Sequence, residues 1–239
     1  MKVLSIGNSF SQDAQRYLHL ISKKEEEEFI TVNLMIPGCP LWKHYRNMLS
    51  EEKAYGLESN GNDTSFKVSL KEALLADNWD VITLQQNSLS TCEWNNFAPY
   101  VKPLAEYIRK MCPAAKLYVH QTWGYENGSG LLESVGCSSM EDMSGKVFAN
   151  YDRMAKEINA DGIIRDGEAM LELSRRIPKV HRDTFHASYG VGRYMLSCMW
   201  YSTLTGKEIT NDFDYFDCEC SDEEIKAAKA VVEKIVFNK

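Results

Sequence analysis

Five short segments carry the residue types that acyl transfer needs: Gly7-Asn8-Ser9-Phe10-Ser11, Pro37-Gly38-Cys39-Pro40, Gln85-Gln86-Asn87-Ser88, Gln121-Thr122-Trp123 and Asp183-Thr184-Phe185-His186. A serine hydroxyl is a weak nucleophile and needs a base within hydrogen-bond reach. Ser9 is the candidate nucleophile. His186 is the candidate base, because imidazole suits proton transfer at neutral pH. A carboxylate must fix the imidazole tautomer and stabilise the imidazolium, and Asp183 lies three residues earlier on the same tight segment. The tetrahedral intermediate needs donors aimed at its oxyanion. The backbone N–H groups of Ser9 and Gly38, with a side-chain amide from Gln86 or Asn87, can supply them. Gly38 lets the backbone come close with no Cβ in the way.

Each residue also has a plainer reading. Ser9 and Ser11 could cap a helix, and Ser11 is expected to do so. Asp183 could initiate a turn. His181 is a rival base, but it has no carboxylate at matching spacing. Gly38 after Pro37 could be turn chemistry alone. Gln86 and Asn87 could bond only loop backbone. Trp42, Trp94, Trp123 and Tyr125 fall on loops at the same end, where ring faces could stack on a sugar or simply anchor the loops. His44 and His120 are expected to be structural, and Arg193 to pair with a surface carboxylate.

The elements that must bring these segments together are legible as alternating strands and helices. Strands are expected at Lys2–Ile6, Phe29–Ile36, Asp80–Leu84, Lys116–His120 and Gly162–Ile164. Helical spacing covers residues 11–22, 42–49, 70–75, 97–111, 147–158, 168–176, 190–204 and 222–237. Ser221 and Glu224 form a capping box at the last of these. Residues 55–68, with Asn60-Gly61, read as a loop or small hairpin excursion, and residues 124–142 as a long loop. This pattern predicts one domain, 1–239, of class α/β. The architecture expected is a three-layer α/β/α fold on a flavodoxin-like parallel five-stranded sheet. Function then gathers at the carboxyl ends of the strands, where four of the chemistry-bearing segments fall, with Asp183–His186 nearer the end of the chain.

Composition narrows the classes further. The chain has 239 residues, 44% hydrophobic and 26% charged, which is ordinary globular usage. Its net charge of −7 argues against broad binding to nucleic acid or anionic membrane. No apolar run is long enough to span a membrane. The first residues lack the h-region of a signal peptide, so a cytoplasmic location is expected, or export with the leader already removed. Seven scattered cysteines suit reduced thiols. Cys218 and Cys220 make a C-x-C with no nearby His, and no metal site is expected there.

Taken together, the blocks resemble the SGNH hydrolases, the superfamily of the GDSL esterases and lipases. Ser9 in Gly7-Asn8-Ser9-Phe10 matches the nucleophile block and Gly38 the oxyanion glycine. Gln85-Gln86-Asn87-Ser88 stands where that family has G-x-N-D, and Asp183-x-x-His186 matches its final D-x-x-H. The similarity is greatest to an uncharacterised bacterial branch opening with G-N-S-F-S and carrying Q-Q-x-S. That branch ends in D-x-x-H-x-S-x-x-G-R-Y, here Asp183, His186, Ser188, Gly192, Arg193 and Tyr194 with one extra residue before the glycine. Asn8 replaces the usual Asp, Phe10 the usual Leu, Gln85 the Gly and Ser88 the Asp. The branch implies that Gln86 could replace Asn87 as amide donor.

The resemblance implies a serine hydrolase for small acyl esters, acetyl among them, with a carbohydrate as one candidate alcohol. It implies an acyl-enzyme and no cofactor. The competing readings are a phosphate or flavin binder on a flavodoxin-like sheet, and a non-catalytic carbohydrate-binding protein. The first leaves Asp183 and His186 with no task. The second sits poorly beside a full set of nucleophile, base and carboxylate.

Overall fold

The computed structural model describes residues 1–239. Its central strand, β1 (Lys2–Gly7), alternates its side chains between two helical layers. Leu4 and Ile6 enter one core, while Val3 enters the other. β1 pairs in parallel with β2 (Ile30–Met35) on one side and with β5 (Val81–Leu84) on the other. β6 (Lys116–His120) and β7 (Gly162–Ile164) continue the parallel set. The parallel order β2-β1-β5-β6-β7 is that of flavodoxin-like sheets, which leave a crevice at the β1/β5 switch point.

The sheet has seven strands, not the five expected. Residues 55–68 are an antiparallel hairpin, β3 (Tyr55–Ser59) and β4 (Asn62–Val68), that extends the sheet beyond β2. Asn60 and Gly61 turn it with φ of 49° and 75°, the positive pair a tight hairpin needs. The Asn60 carboxamide accepts the Thr31 N–H, which pins the turn to β2. β4 is an edge strand with mostly exposed side chains, so it lacks the apolar signature of a buried strand.

One layer holds α3 (Leu41–Ser50), α4 (Leu70–Leu75), α5 (Ala98–Met111), α6 (Leu131–Ser134) and α7 (Met140–Glu157) around a 29-residue apolar cluster. The opposite layer holds α1 (Ser9–Gln15), α2 (Leu18–Lys24), α8 (Asp166–Ser174), α9 (Val191–Thr205) and α10 (Asp222–Phe237) around 28 more. α9 is buried from Val191 to Ser202 because other helices flank it on every side. The single helix expected over 11–22 is two, α1 and α2. The Tyr17 N–H bonds the Ser197 hydroxyl on α9 at 3.2 Å, which interrupts the helical ladder. α7 begins earlier than the apolar spacing suggests, because Ser139 caps it through the Asp142 N–H. Residues 124–142 are therefore a loop broken by α6 and the first turn of α7. The capping box of Ser221 and Glu224 forms as read.

Candidate active site

Ser9 is the first residue of α1, directly beyond the carboxyl end of β1. Asn8 caps this helix. Its backbone is extended and its side chain accepts the Phe10 N–H at 3.0 Å. Ser11 accepts the Asn8 N–H at 3.1 Å, so it completes the cap. The Ser9 hydroxyl is left free of capping.

His186 approaches from the far end of the sequence on residues 181–187, which fold back through a bridge between His181 and Ala187. Thr184 turns this segment with φ of 72°. His186 Nε2 lies 2.8 Å from Ser9 Oγ, and Nδ1 lies 2.7 Å from Asp183 Oδ2. Asp183 Oδ1 also accepts the His186 backbone N–H at 2.8 Å. A carboxylate only accepts, so Nδ1 carries the proton and Nε2 is the face toward Ser9. Burial pushes the Asp183 carboxyl up, but the bonds from His186 outweigh it and hold it below the usual carboxylate range.

Two backbone donors flank the serine. As the first residue of α1, Ser9 has no carbonyl one turn back to receive its N–H. Gly38, in the turn after β2, has φ of 58°, and its N–H bonds nothing within the chain. The Asn87 amide nitrogen donates to the Gly38 carbonyl at 3.0 Å, which leaves its second hydrogen available. Gln86 differs from its neighbour. Its side chain is fully buried, accepting the Leu41 and Asn87 N–H groups and donating to the Asn96 carbonyl, each at 2.9 Å. Of the two candidate amides, only Asn87 borders the cleft.

That cleft, about 400 Å³, opens between Ser9, Gly38, Asn87 and His186. Phe10, Pro37, Leu89, Tyr125, Leu131 and Phe185 make its walls largely apolar. A larger surface hollow of about 560 Å³ near Arg16, Asn60 and Asp217 contains no nucleophile–base pair. Of the four aromatics considered for sugar stacking, only Tyr125 lines the cleft, and its hydroxyl donates to Ser88 at 3.0 Å. Trp42 is 46% exposed on α3, with the Arg46 guanidinium 5.6 Å from its ring centre. Trp94 stacks on Phe97 under Arg153. Trp123 is buried, stacks on Phe10 at 4.1 Å and donates to the Phe185 carbonyl at 2.7 Å. It braces the histidine segment from below.

The sequence reading missed two supports of the site. Arg182 bonds both oxygens of the fully buried Asp13 on α1, at 2.9 and 2.8 Å. Arg193 joins the same carboxylate at 2.8 Å and Asp217 at 2.6 Å, rather than a surface acid alone. These pairs tie the histidine segment to the serine helix. Behind Asn8, the Gln85 amide donates to the Asn8 side chain at 2.9 Å and its oxygen lies 2.7 Å from His120 Nδ1. His120 in turn meets buried Asp166 at 2.8 Å and does not line the cleft. The Gln-Gln pair was visible, but nothing in its spacing says which amide turns inward. His181 faces the Gly124 carbonyl at 3.2 Å, and burial lowers its pKa to about 4. No three metal-ligating side chains cluster anywhere in the chain, and no helix is long and apolar enough to cross a membrane.

The three-layer sandwich, with the serine segment after its central strand, is the fold of the SGNH hydrolase superfamily. A putative GDSL-like lipase from Parabacteroides merdae is similar at 12% identity and a TM-score of 0.59, over 86% of this chain and 95% of that one. An acetylxylan esterase from Geobacillus stearothermophilus, solved as a catalytic mutant, is similar at 14% identity and a TM-score of 0.54, over 83% and 91%. Within this fold the chain belongs to the family described as domain of unknown function DUF4886, which matches residues 2–233. A member of that family from Bacteroides uniformis superimposes with a TM-score of 0.92 at 27% identity, over 99% of this chain and 95% of that one. No curated protein matches the chain.

Proposed function

We propose that this protein is a serine esterase that cleaves short acyl esters through an acyl-enzyme. The observation that carries this reading is the unbroken line from Ser9 Oγ through the His186 ring to Asp183, at 2.8 and 2.7 Å. Ser9 Oγ attacks the acyl carbon while His186 Nε2 takes its proton. The Ser9 and Gly38 N–H groups and the Asn87 amide receive the developing oxyanion. His186 then protonates the departing alcohol. A water, deprotonated by the same nitrogen, releases the acid and restores Ser9.

Acetyl is the acyl group favoured, since the similarity to an acetylxylan esterase points the same way. A carbohydrate alcohol has three rings in the cleft wall, Phe10, Tyr125 and Phe185, of which Phe185 is the most exposed. No step calls for a metal or organic cofactor.

The test is hydrolysis of p-nitrophenyl acetate, butyrate and octanoate by the wild type and by Ser9→Ala. We expect turnover that declines with acyl length and falls by about 10³-fold or more in Ser9→Ala, with the circular dichroism spectrum unchanged. Full activity in Ser9→Ala would overturn the assignment of the nucleophile. A wild type inert toward every ester, acetylated sugars included, would overturn the esterase reading.

A further inference from the structure

Two cysteines that the proposed chemistry does not use lie against the outer wall of the cleft. Cys92 follows the short turn Ser88–Ser90 that comes after β5, and Cys137 follows α6. Their sulfurs are 3.7 Å apart, the only two of the seven cysteines in such contact. Both thiols are free. The Lys146 ammonium on α7 donates to Cys137 Sγ at 3.5 Å.

Cys137 is coupled to a wall of the cleft by its own hydrogen bond, and Cys92 through its neighbour Thr91. The Cys137 N–H bonds the Leu132 carbonyl at 2.9 Å, which joins it to the turn bearing Leu131. Next to Cys92, the Thr91 hydroxyl bonds the Ser88 carbonyl at 2.9 Å, which joins it to the turn bearing Leu89. Leu89 and Leu131 both line the cleft, and Leu89 is 57% exposed. Sulfurs in contact at 3.7 Å must close to about 2.05 Å to bond. That closure must draw the two turns relative to each other.

We propose that Cys92 and Cys137 form a redox-modifiable pair that reacts with low-molecular-weight disulfides and sets the spacing of Leu89 and Leu131 across the cleft. The Cys137 thiolate attacks one sulfur of the external disulfide and expels the other as a thiolate. Cys92 then attacks Cys137 Sγ in the mixed disulfide and releases the second thiol, its own proton passing to the departing sulfur. Two protein thiols are oxidised and one external disulfide is reduced to two thiols. The Lys146 ammonium beside Cys137 Sγ assigns the first attack to Cys137, while burial and the adjacent Cys137 sulfur push the Cys92 thiol up to about 12. The cross-link stands on the geometry alone. Its effect on the cleft rests on the esterase reading.

The experiment exposes the wild-type protein to glutathione disulfide, with dithiothreitol as the reduced control. Intact mass and peptide mapping read the link, and kcat/KM on p-nitrophenyl acetate and octanoate reads the cleft. We expect a species about 2 Da lighter with Cys92 joined to Cys137. We expect the octanoate-to-acetate preference to change several-fold, reversibly with dithiothreitol. Cys92→Ser and Cys137→Ser should keep the basal activity and lose the response. Two cysteines that stay separately alkylatable, or a reaction confined to exposed Cys218, would overturn the pair. A link that forms while both esters turn over unchanged would overturn the gating. Where neither redox form hydrolyses any ester, the esterase reading fails while the mass data still decide the thiol pair.

Discussion

Asp183 holds His186 twice, by its ring and by its backbone, so the proposed base and its proposed orienting acid move as one unit. Asp183→Asn offers the ring an amide that can donate as well as accept, which admits the wrong tautomer. We expect kcat to fall by about 10³- to 10⁴-fold with the fold intact. The two amides after β5 should separate cleanly. Asn87→Ala removes a donor at the cleft, and we expect a loss of about 10²- to 10³-fold in kcat with little change in KM. Gln86→Ala instead leaves the Leu41 N–H and the Asn96 carbonyl without partners, at a cost of about 1–3 kcal/mol each. It should lower Tm, and a kinetic defect at full stability would reverse the two roles. That Ser9, His186 and Asp183 come together was legible, because D-x-x-H packs two of them onto one turn. The choice of amide was not, because Gln86 and Asn87 carry the same chemistry and differ only in which way the chain turns them.

At the level of elements, the five parallel strands were legible as short apolar runs, and the last helix by its cap. The hairpin over 55–68 was legible as an alternative to a loop, through Asn60-Gly61, but its place as two strands of the sheet was not, since β4 sits at the edge and shows a polar face to solvent. Its hold on the body of the fold is at Gly61. A Cβ there would come 2.4 Å from the Arg16 carbonyl, and φ is already 75°. Gly61→Ala therefore forces the hairpin off the α1–α2 junction. We expect a loss of more than about 1 kcal/mol by chemical denaturation. An unchanged midpoint would mean that the hairpin docks more loosely than its contacts imply. The break between α1 and α2 escaped the sequence for a related reason. It depends on a hydroxyl from Ser197, and no local pattern around Tyr17 announces a partner so far along the chain.

For the molecule as a whole, two buried imidazoles set a limit on acid tolerance. Burial lowers the pKa of His44 to about 3 and of His181 to about 4, from an ordinary 6.5. Between those values the unfolded chain takes protons that the folded one refuses, so stability falls as pH falls. The loss begins near 6.5 and for His181 is complete near 4, amounting to roughly 3 kcal/mol. Urea midpoints that do not decline between about pH 7 and pH 4.5 would contradict this.

The residues of the site are also spread along nearly the full sequence. Ser9 and His186 are 177 positions apart, and the carboxylate that anchors the histidine segment, Asp13, lies beside the serine. During translation Ser9, the proposed nucleophile, leaves the ribosome early and His186, the proposed base, late. A nascent chain therefore carries an unarmed serine until residue 186 has emerged and docked. Turnover measured on stalled ribosomes would time the docking of residues 181–187, after the last strand has joined the sheet, rather than the synthesis of Ser9.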